Sequence, residues 1–213
     1  MISCIRFLVI VLLSTSFPLI SCGKDEYIAY EQRFDEVTNT RMHIMRLDPD
    51  KARIELAHAV GYATDRETVP SIAKRHKAYT AINGGFFRRG GRYNGASLGY
   101  LHINELFSDK LKTGSMLAWK DGSYVDIGMV TSAASVCIAG EMVKIDKINQ
   151  PRGDDDVVWY TPTYRSTTLT EAGGLEVIIK DNKIVSIEEN GNAPIGDGYV
   201  LSFGPKAYPR LRG

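Results

Sequence analysis

Apolar and polar positions alternate with a period of two, or run apolar between turn residues, in several stretches of this chain, which predicts strands, and one short stretch follows the helical period instead. Residues 27–35 and 40–47 read as two strands around a Thr-Asn turn. Over residues 52–60, Ile54, Leu56, His58 and Val60 share one face, and Arg53 and Glu55 share the other. Thr68-Val69-Pro70 then opens a helix to about Lys77, with Thr as N-cap and Pro tolerated in the first turn. Val69, Ile72, Ala73 and His76 fall on one face of it, and Lys74, Arg75 and Lys77 suit the negative end of its dipole. The next run, Ala78-Tyr79-Thr80-Ala81-Ile82, reads as a buried strand driving into Asn83-Gly84-Gly85-Phe86-Phe87. Beyond it, residues 98–103 read as a strand. Three hairpins are predicted, pairing 115–119 with 123–127, 135–139 with 142–148, and 175–180 with 184–187. A last apolar strand covers 198–203. The pattern predicts an α+β fold, mainly antiparallel sheet with one or two packed helices.

The chemistry concentrates after the 78–82 run. Asn tolerates left-handed geometry and carries both a donor and an acceptor. Gly lets a backbone approach a ligand closely. Asn83 with the N–H groups of Gly84 and Gly85 is therefore a candidate anion-binding cluster at a sheet end. The plain alternative is a tight turn followed by two core phenylalanines. The next loop, 88–95, carries Arg88, Arg89 and Arg92. Guanidinium groups recognise phosphate in a planar, bidentate way, so this loop is a candidate phosphate site, with a solvated loop as its alternative.

Other candidates weaken on inspection. Gly95-Ala96-Ser97-Leu98-Gly99 matches the nucleophile-elbow pattern, but a polar loop precedes it, a strand follows, and the only downstream histidine is His102. His58 reads as a rim or hydrogen-bonded core histidine. Cys137, between Val136 and Ile138, reads as a small buried hydrophobe. Gly153-Asp154-Asp155-Asp156 lacks the spacing of a calcium loop and reads as a solvated turn. There is no His-Glu-x-x-His, no cysteine pair, no Walker loop, and no Gly-x-Gly-x-x-Gly before a helix. No metal or cofactor is expected.

The first residues change the picture of where the chain works. A short n-region with Arg6 leads into an apolar run, 7–20, broken by Ser14-Thr15-Ser16 and Pro18, which is too interrupted to span a membrane. It ends in Leu19-Ile20-Ser21-Cys22-Gly23, which resembles the bacterial lipoprotein lipobox. That resemblance implies a signal peptide over 1–21, a lipid on Cys22, a tether over 22–26, and a membrane-anchored place in the bacterial cell envelope. Gly23, where an inner-membrane lipoprotein often has Asp, favours the outer membrane or cell surface. The 213 residues suit one domain or part of a larger one. Of 26 basic residues, removing Arg6 leaves 25 against 25 acidic, so no net field calls for nucleic acid.

Several of these stretches together resemble the phosphodiester glycosidase domain family, which includes the enzyme that uncovers mannose 6-phosphate on lysosomal hydrolases. They are the 68–77 helix, Thr80-Ala81-Ile82-Asn83-Gly84-Gly85-Phe86-Phe87, Gly90-Gly91 and Gly95. Trp119-Lys120-Asp121-Gly122, Ile148-Asn149-Gln150-Pro151-Arg152, Trp159-Tyr160-Thr161-Pro162-Thr163-Tyr164 and Asp197-Gly198-Tyr199-Val200-Leu201-Ser202 follow in the family's order. The likeness runs over 27–205, leaving 206–213 as a tail. It implies hydrolysis of a sugar phosphodiester, with Asn83 in catalysis and Gly84, Gly85, Arg88, Arg89 and Arg92 binding substrate. The family's later Gly-Gly-Gly-Pro-like, Arg-Thr-Ala-Ile-Gly-like and Asp-Gly-Gly-Gly-Ser-like blocks have no counterpart here. The expectation is thus the N-terminal part of such a domain, with a non-catalytic sugar-phosphate-binding lipoprotein as the alternative. No carboxylate acid or base is identified.

Overall fold

The computed structural model describes residues 28–48, 50–59, 64, 66–104, 106–110, 112, 114–120, 124–138 and 140–207. Along the chain these form β1 (Ile28–Asp35), β2 (Thr40–Leu47), α1 (Val69–Arg75), β3 (Leu101–Ile103), β4 (Leu106–Ser108), β5 (Gly114–Lys120) and β6 (Tyr124–Val130). There follow β7 (Ala134–Ile138), β8 (Glu141–Ile145), β9 (Lys147–Ile148), β10 (Val157–Tyr160), β11 (Leu175–Lys180), β12 (Lys183–Glu188) and β13 (Tyr199–Phe203). The fold is mainly β, mostly antiparallel, and its helical part among the described residues is one element of 7 residues. Two compact units are present. The first holds residues 28–57, 69–83 and 117–127, and the second holds 58–68, 84–116 and 128–207.

In the first unit, β1 and β2 pair antiparallel in unbroken register from Ile28↔Leu47 to Asp35↔Thr40. The Asp35 carboxylate closes the turn, accepting from Val37 N at 3.0 Å and Thr38 Oγ1 at 2.6 Å. Helix α1 buries no residue fully, but Val69, Ile72, Ala73 and His76 are half-buried while Pro70, Ser71, Lys74 and Arg75 are exposed, as the helical period requires. It ends in a Schellman motif. Ala78 N donates to Ala73 O at 2.8 Å, Lys77 N donates to Lys74 O at 3.2 Å, and Lys77 takes the left-handed position at φ 51°.

Two predicted strands are absent among the described residues. Residues 52–59 join no sheet, and 54–59 are all half-buried, so the two faces suggested by alternation are not separated. Residues 78–83 also join no sheet, and Tyr79 and Ile82 are exposed. In both places the side-chain pattern is present, but no neighbouring strand among the described residues completes a ladder, and pairing is what makes a strand.

The second unit is built on a sheet in the order β12-β11-β13-β10-β9, antiparallel except for β10 with β9. One face carries Val157, Leu175, Val177, Leu201 and Phe203, and the β7–β8 hairpin covers it through Ala134, Val136, Ile138, Val143 and Ile145. The other face carries Val158, Tyr160 and Val200 against Tyr164, Ala193 and Ile195. With Val136 and Ile138 turned inward, Cys137 faces out. It is a free, exposed thiol, not the buried hydrophobe its neighbours suggested.

The β11–β12 turn is a tight two-residue loop with both Asp181 (φ 49°) and Asn182 (φ 57°) left-handed, the twist-matched hairpin geometry. The predicted 142–148 strand divides at Asp146. Its N–H donates to Val157 O at 2.8 Å and its carboxylate accepts from Val157 N at 3.0 Å, so the chain leaves the hairpin there and joins the sheet as β9.

Candidate anion site in the arginine loop

Residues 86–98 form a closed loop within the second unit. A bridge pairs Phe87 with Ser97, Arg88 N donates to Ala96 O at 2.8 Å, Gly95 N donates to Arg88 O at 2.8 Å, and Leu98 N donates to Phe86 O at 2.9 Å. The chain reverses through Gly90, Gly91 and Gly95 at φ 77°, 66° and 91°, a region that side-chain-bearing residues seldom enter. Asn94 staples the inside, because its Oδ1 accepts from Gly90 N at 2.9 Å and from Arg66 Nη1 at 3.0 Å. Arg66 also lies over the Phe87 ring, 5.4 Å from its centroid.

The loop is pinned to the segment that follows Arg165. Arg92 Nη1 donates to Leu169 O at 3.1 Å, and its Nη2 faces the Glu171 carboxylate at 3.6 Å. Behind that segment lies a buried polar cluster on the β11–β13 sheet. Glu176 is fully buried, and four donors occupy its carboxylate. Thr168 Oγ1 (3.1 Å) and Ala193 N (2.7 Å) meet Oε2, while Thr170 Oγ1 (2.8 Å) and Ser202 Oγ (2.9 Å) meet Oε1. Arg152, with a side chain only 4% exposed, stands 3.9 Å from Glu176. It donates to Ser202 Oγ at 2.9 Å and to Glu171 O at 2.6 Å.

The structure therefore gathers Arg88, Arg89 and Arg92 on one ordered loop and adds Arg66, Tyr93 and Arg152 to the same surroundings. Burial pushes the Tyr93 phenol up, and Glu171 adds to this, while the nearby charges of Arg92, Arg152 and Arg88 oppose it. Among the described residues no carboxylate pairs with Arg88 or Arg89. The Asn83-Gly84-Gly85 stretch is exposed, and neither glycine takes a positive φ. Asn83 ends a stretch of the first unit and Gly84 begins one of the second. Phe86, 85% exposed, is no core residue, and Phe87 is exposed as well. Cys22 lies outside the described residues.

The competing motifs have structural explanations. Ser97 Oγ donates to Gly99 O at 3.1 Å, and strand β3, not a helix, follows, so the elbow is absent. The 153–156 turn has two of its three carboxylates engaged within the protein. Asp156 accepts from Gly153 N at 2.5 Å and from Lys147, and Asp154 pairs with Lys206 at 2.9 Å. Among the described residues no cluster of three or more His, Cys, Asp or Glu side chains suits a metal, and no helix is long and apolar enough to cross a membrane. A surface cavity of about 460 Å³ lies elsewhere in this unit, between Lys110, Lys144, Lys147 and Asp156.

Two tyrosines beneath the loop make stability pH-dependent. Tyr160 and Tyr164 are fully buried with ring centroids 4.7 Å apart. Tyr160 donates to Gln150 O at 2.9 Å, whereas the Tyr164 hydroxyl has no partner among the described residues. Burial pushes both phenols up; Tyr93 adds to the effect on Tyr164, and Arg165 and Arg88 oppose it. The unfolded phenols ionise near pH 10, so above that pH the folded chain holds more protons than the unfolded one and stability falls. The two tyrosines' contribution is fully present below about pH 10 and is lost above it, at about 1.4 kcal/mol per pH unit for each. The urea midpoint is expected to fall as the pH rises above 10, before phenolates of these two tyrosines appear in the folded chain. A midpoint flat to pH 11 would contradict this.

No family model matches the chain. It is 28% identical over 138 residues to an uncharacterized protein of Rickettsia conorii, covering 62% of this chain and 49% of that protein. The chain thus spans about half the length of the curated relative it matches. In fold it is similar to the crystal structure of a hypothetical protein from Synechocystis, with a TM-score of 0.65 at 20% identity, covering 84% of this chain and 36% of the other.

Proposed function

We propose that the arginine loop binds the phosphate of a sugar phosphodiester, and that the chain acts within a cell-envelope hydrolase of the phosphodiester glycosidase type, anchored by lipid on Cys22. The observation that carries this reading is the closed 86–98 loop, whose backbone is fixed by its own hydrogen bonds while Arg88 and Arg89 remain exposed and without a carboxylate partner among the described residues. A phosphodiester is anionic and so is the phosphate that leaves. Fixed cations aimed at that charge stabilise the transition state without reorganising. Exposed Phe86 suits the apolar face of a sugar ring, and the family resemblance alone assigns Asn83 the role of a neutral donor.

The test is release of free hexose from methyl glucosyl phosphate. Wild-type protein is expected to release it, and Asn83→Ala and Arg88→Gln are each expected to lower kcat/KM by about 100-fold, the cost of losing one charge-stabilising donor. A change in stability alone for Asn83→Ala would remove Asn83 from the site. The second reading, a sugar-phosphate-binding lipoprotein without turnover, is favoured by the state of the carboxylates beside the loop. Glu176 has its lone pairs filled and Glu171 faces Arg92, which leaves neither placed as the acid that glycosidic cleavage uses. Binding of the substrate with no hexose released supports that second reading.

A further inference from the structure

Resting on the anion-site reading above, we infer that Arg92 is a positioning residue that locks the loop, and that Arg88 and Arg89 are the cations that meet the ligand. Arg92 is exposed like its neighbours, but its guanidinium is bonded to the protein, with one N–H on the Leu169 carbonyl and another toward the exposed Glu171 carboxylate. The receiving segment is held from behind at Thr168, Thr170 and Glu171. Thr168 N donates to Ala193 O at 3.0 Å, Asn192 N donates to Thr170 Oγ1 at 2.8 Å, and Glu171 O accepts from the buried Arg152. Gly191 packs so closely on Glu171 that a Cβ there would lie 2.5 Å from its carbonyl.

Leu169 itself sits at φ 57°, a strained conformation for leucine that persists only where the surroundings impose it. A line of contacts therefore runs from the sheet through Glu176, Arg152 and the 169–171 backbone to Arg92, and it ends in the loop. Arg88 differs. Its backbone N–H and C=O are both bonded across the loop neck, and its exposed side chain has no carboxylate partner among the described residues. Arg89 is exposed in the same way.

Glu171 gives the test a sign. If Arg92 held the ligand, the Glu171 carboxylate would compete with that ligand, and Glu171→Gln would tighten anion binding. If Arg92 locks the loop through Glu171, the same change loosens the loop and weakens binding. The experiment titrates the full chain with inorganic phosphate and with methyl glucosyl phosphate, and measures amide exchange at Arg88, Gly95 and Ala96. Glu171→Gln and Arg92→Gln are expected to weaken binding by about fivefold, the range an exposed ion pair allows, and to speed exchange at those amides. Arg88→Gln and Arg89→Gln are expected to weaken binding at least as much and leave exchange unchanged. Tighter binding by Glu171→Gln, or unchanged exchange in Arg92→Gln, overturns the positioning role. Wild-type protein that binds neither probe overturns the anion reading and the ligand role of Arg88 and Arg89, while the exchange data still decide whether Arg92 locks the loop.

Discussion

Glu176→Ala is expected to destabilise the second unit by about 3–5 kcal/mol, the cost of removing one partner from a buried, hydrogen-bonded charge pair. The carboxylate has no contact with solvent, and four donors converge on it from Thr168, Thr170, Ala193 and Ser202. Alanine leaves those donors without an acceptor. It also leaves Arg152, 4% exposed, without its counter-charge at 3.9 Å. Glu176→Gln separates the two contributions. Its amide oxygen fits on the Ala193 side, where the N–H can only donate. Its NH₂ then faces Thr170 and Ser202, whose hydroxyls also accept, from Asn192 N and Arg152 respectively. Glutamine therefore restores most hydrogen bonds but not the charge, and is expected to cost less than alanine. Chemical denaturation of both variants checks the order. Equal losses would assign the whole effect to the charge, and a loss under about 1 kcal/mol for Glu176→Ala would mean that the cluster relaxes or takes up water.

That cluster also marks the limit of what the sequence reveals. The hairpins β1–β2, β7–β8 and β11–β12 follow from alternation and turn residues, and the helix from its period and its Thr68 start. Residues 52–59 and 78–82 carry equally good local patterns, yet neither pairs, because pairing depends on a neighbour that a local pattern does not contain. Strand β10 was missed for the opposite reason. Val157, Val158 and Tyr160 are all buried, so this interior strand has no polar face to alternate with. Arg88, Arg89 and Arg92 were legible as a group from composition alone. Their division into one side chain bonded to the protein and two without a carboxylate partner among the described residues was not, since it depends on Leu169 and Glu171, more than 70 positions later. Glu176 lies in Gly-Leu-Glu-Val-Ile-Ile, where one charge in an apolar run was the only signal. Read as a buried polar residue demanding partners, it would have pointed to the Thr168 and Thr170 hydroxyls just before it.

Gly204→Ala is expected to cost about 3 kcal/mol or more, for a reason that has nothing to do with backbone freedom. Gly204 is buried with an ordinary negative φ, so alanine meets no torsional penalty. What it meets is backbone: a Cβ would lie 2.2 Å from Asp154 O and 2.3 Å from Gly153 O. Forcing atoms into such a contact costs about 1–3 kcal/mol in a packed interior, and more where the neighbour cannot yield. Here it cannot yield freely. Asp154 O accepts from Lys206 N at 2.9 Å and Ala207 N at 3.2 Å, and Gly204 N donates to Asp156 O at 2.9 Å. Moving the 153–156 turn away breaks those bonds and disturbs Asp156, which also holds Gly153 N and Lys147. The same locking explains why this acidic turn is structural, since the Asp154 and Asp156 carbonyl oxygens face the protein. Gly128→Ala is the control. In β6 it has open space around its Cβ position and an ordinary φ, so alanine there is expected to be neutral or to stabilise by about 0.5 kcal/mol. Unfolding free energies of the two variants from denaturant titration should therefore change in opposite directions or differ by about 3 kcal/mol or more. Similar values would mean that the end of β13 shifts to admit the methyl group, and that the 153–156 turn is held less tightly than its hydrogen bonds indicate.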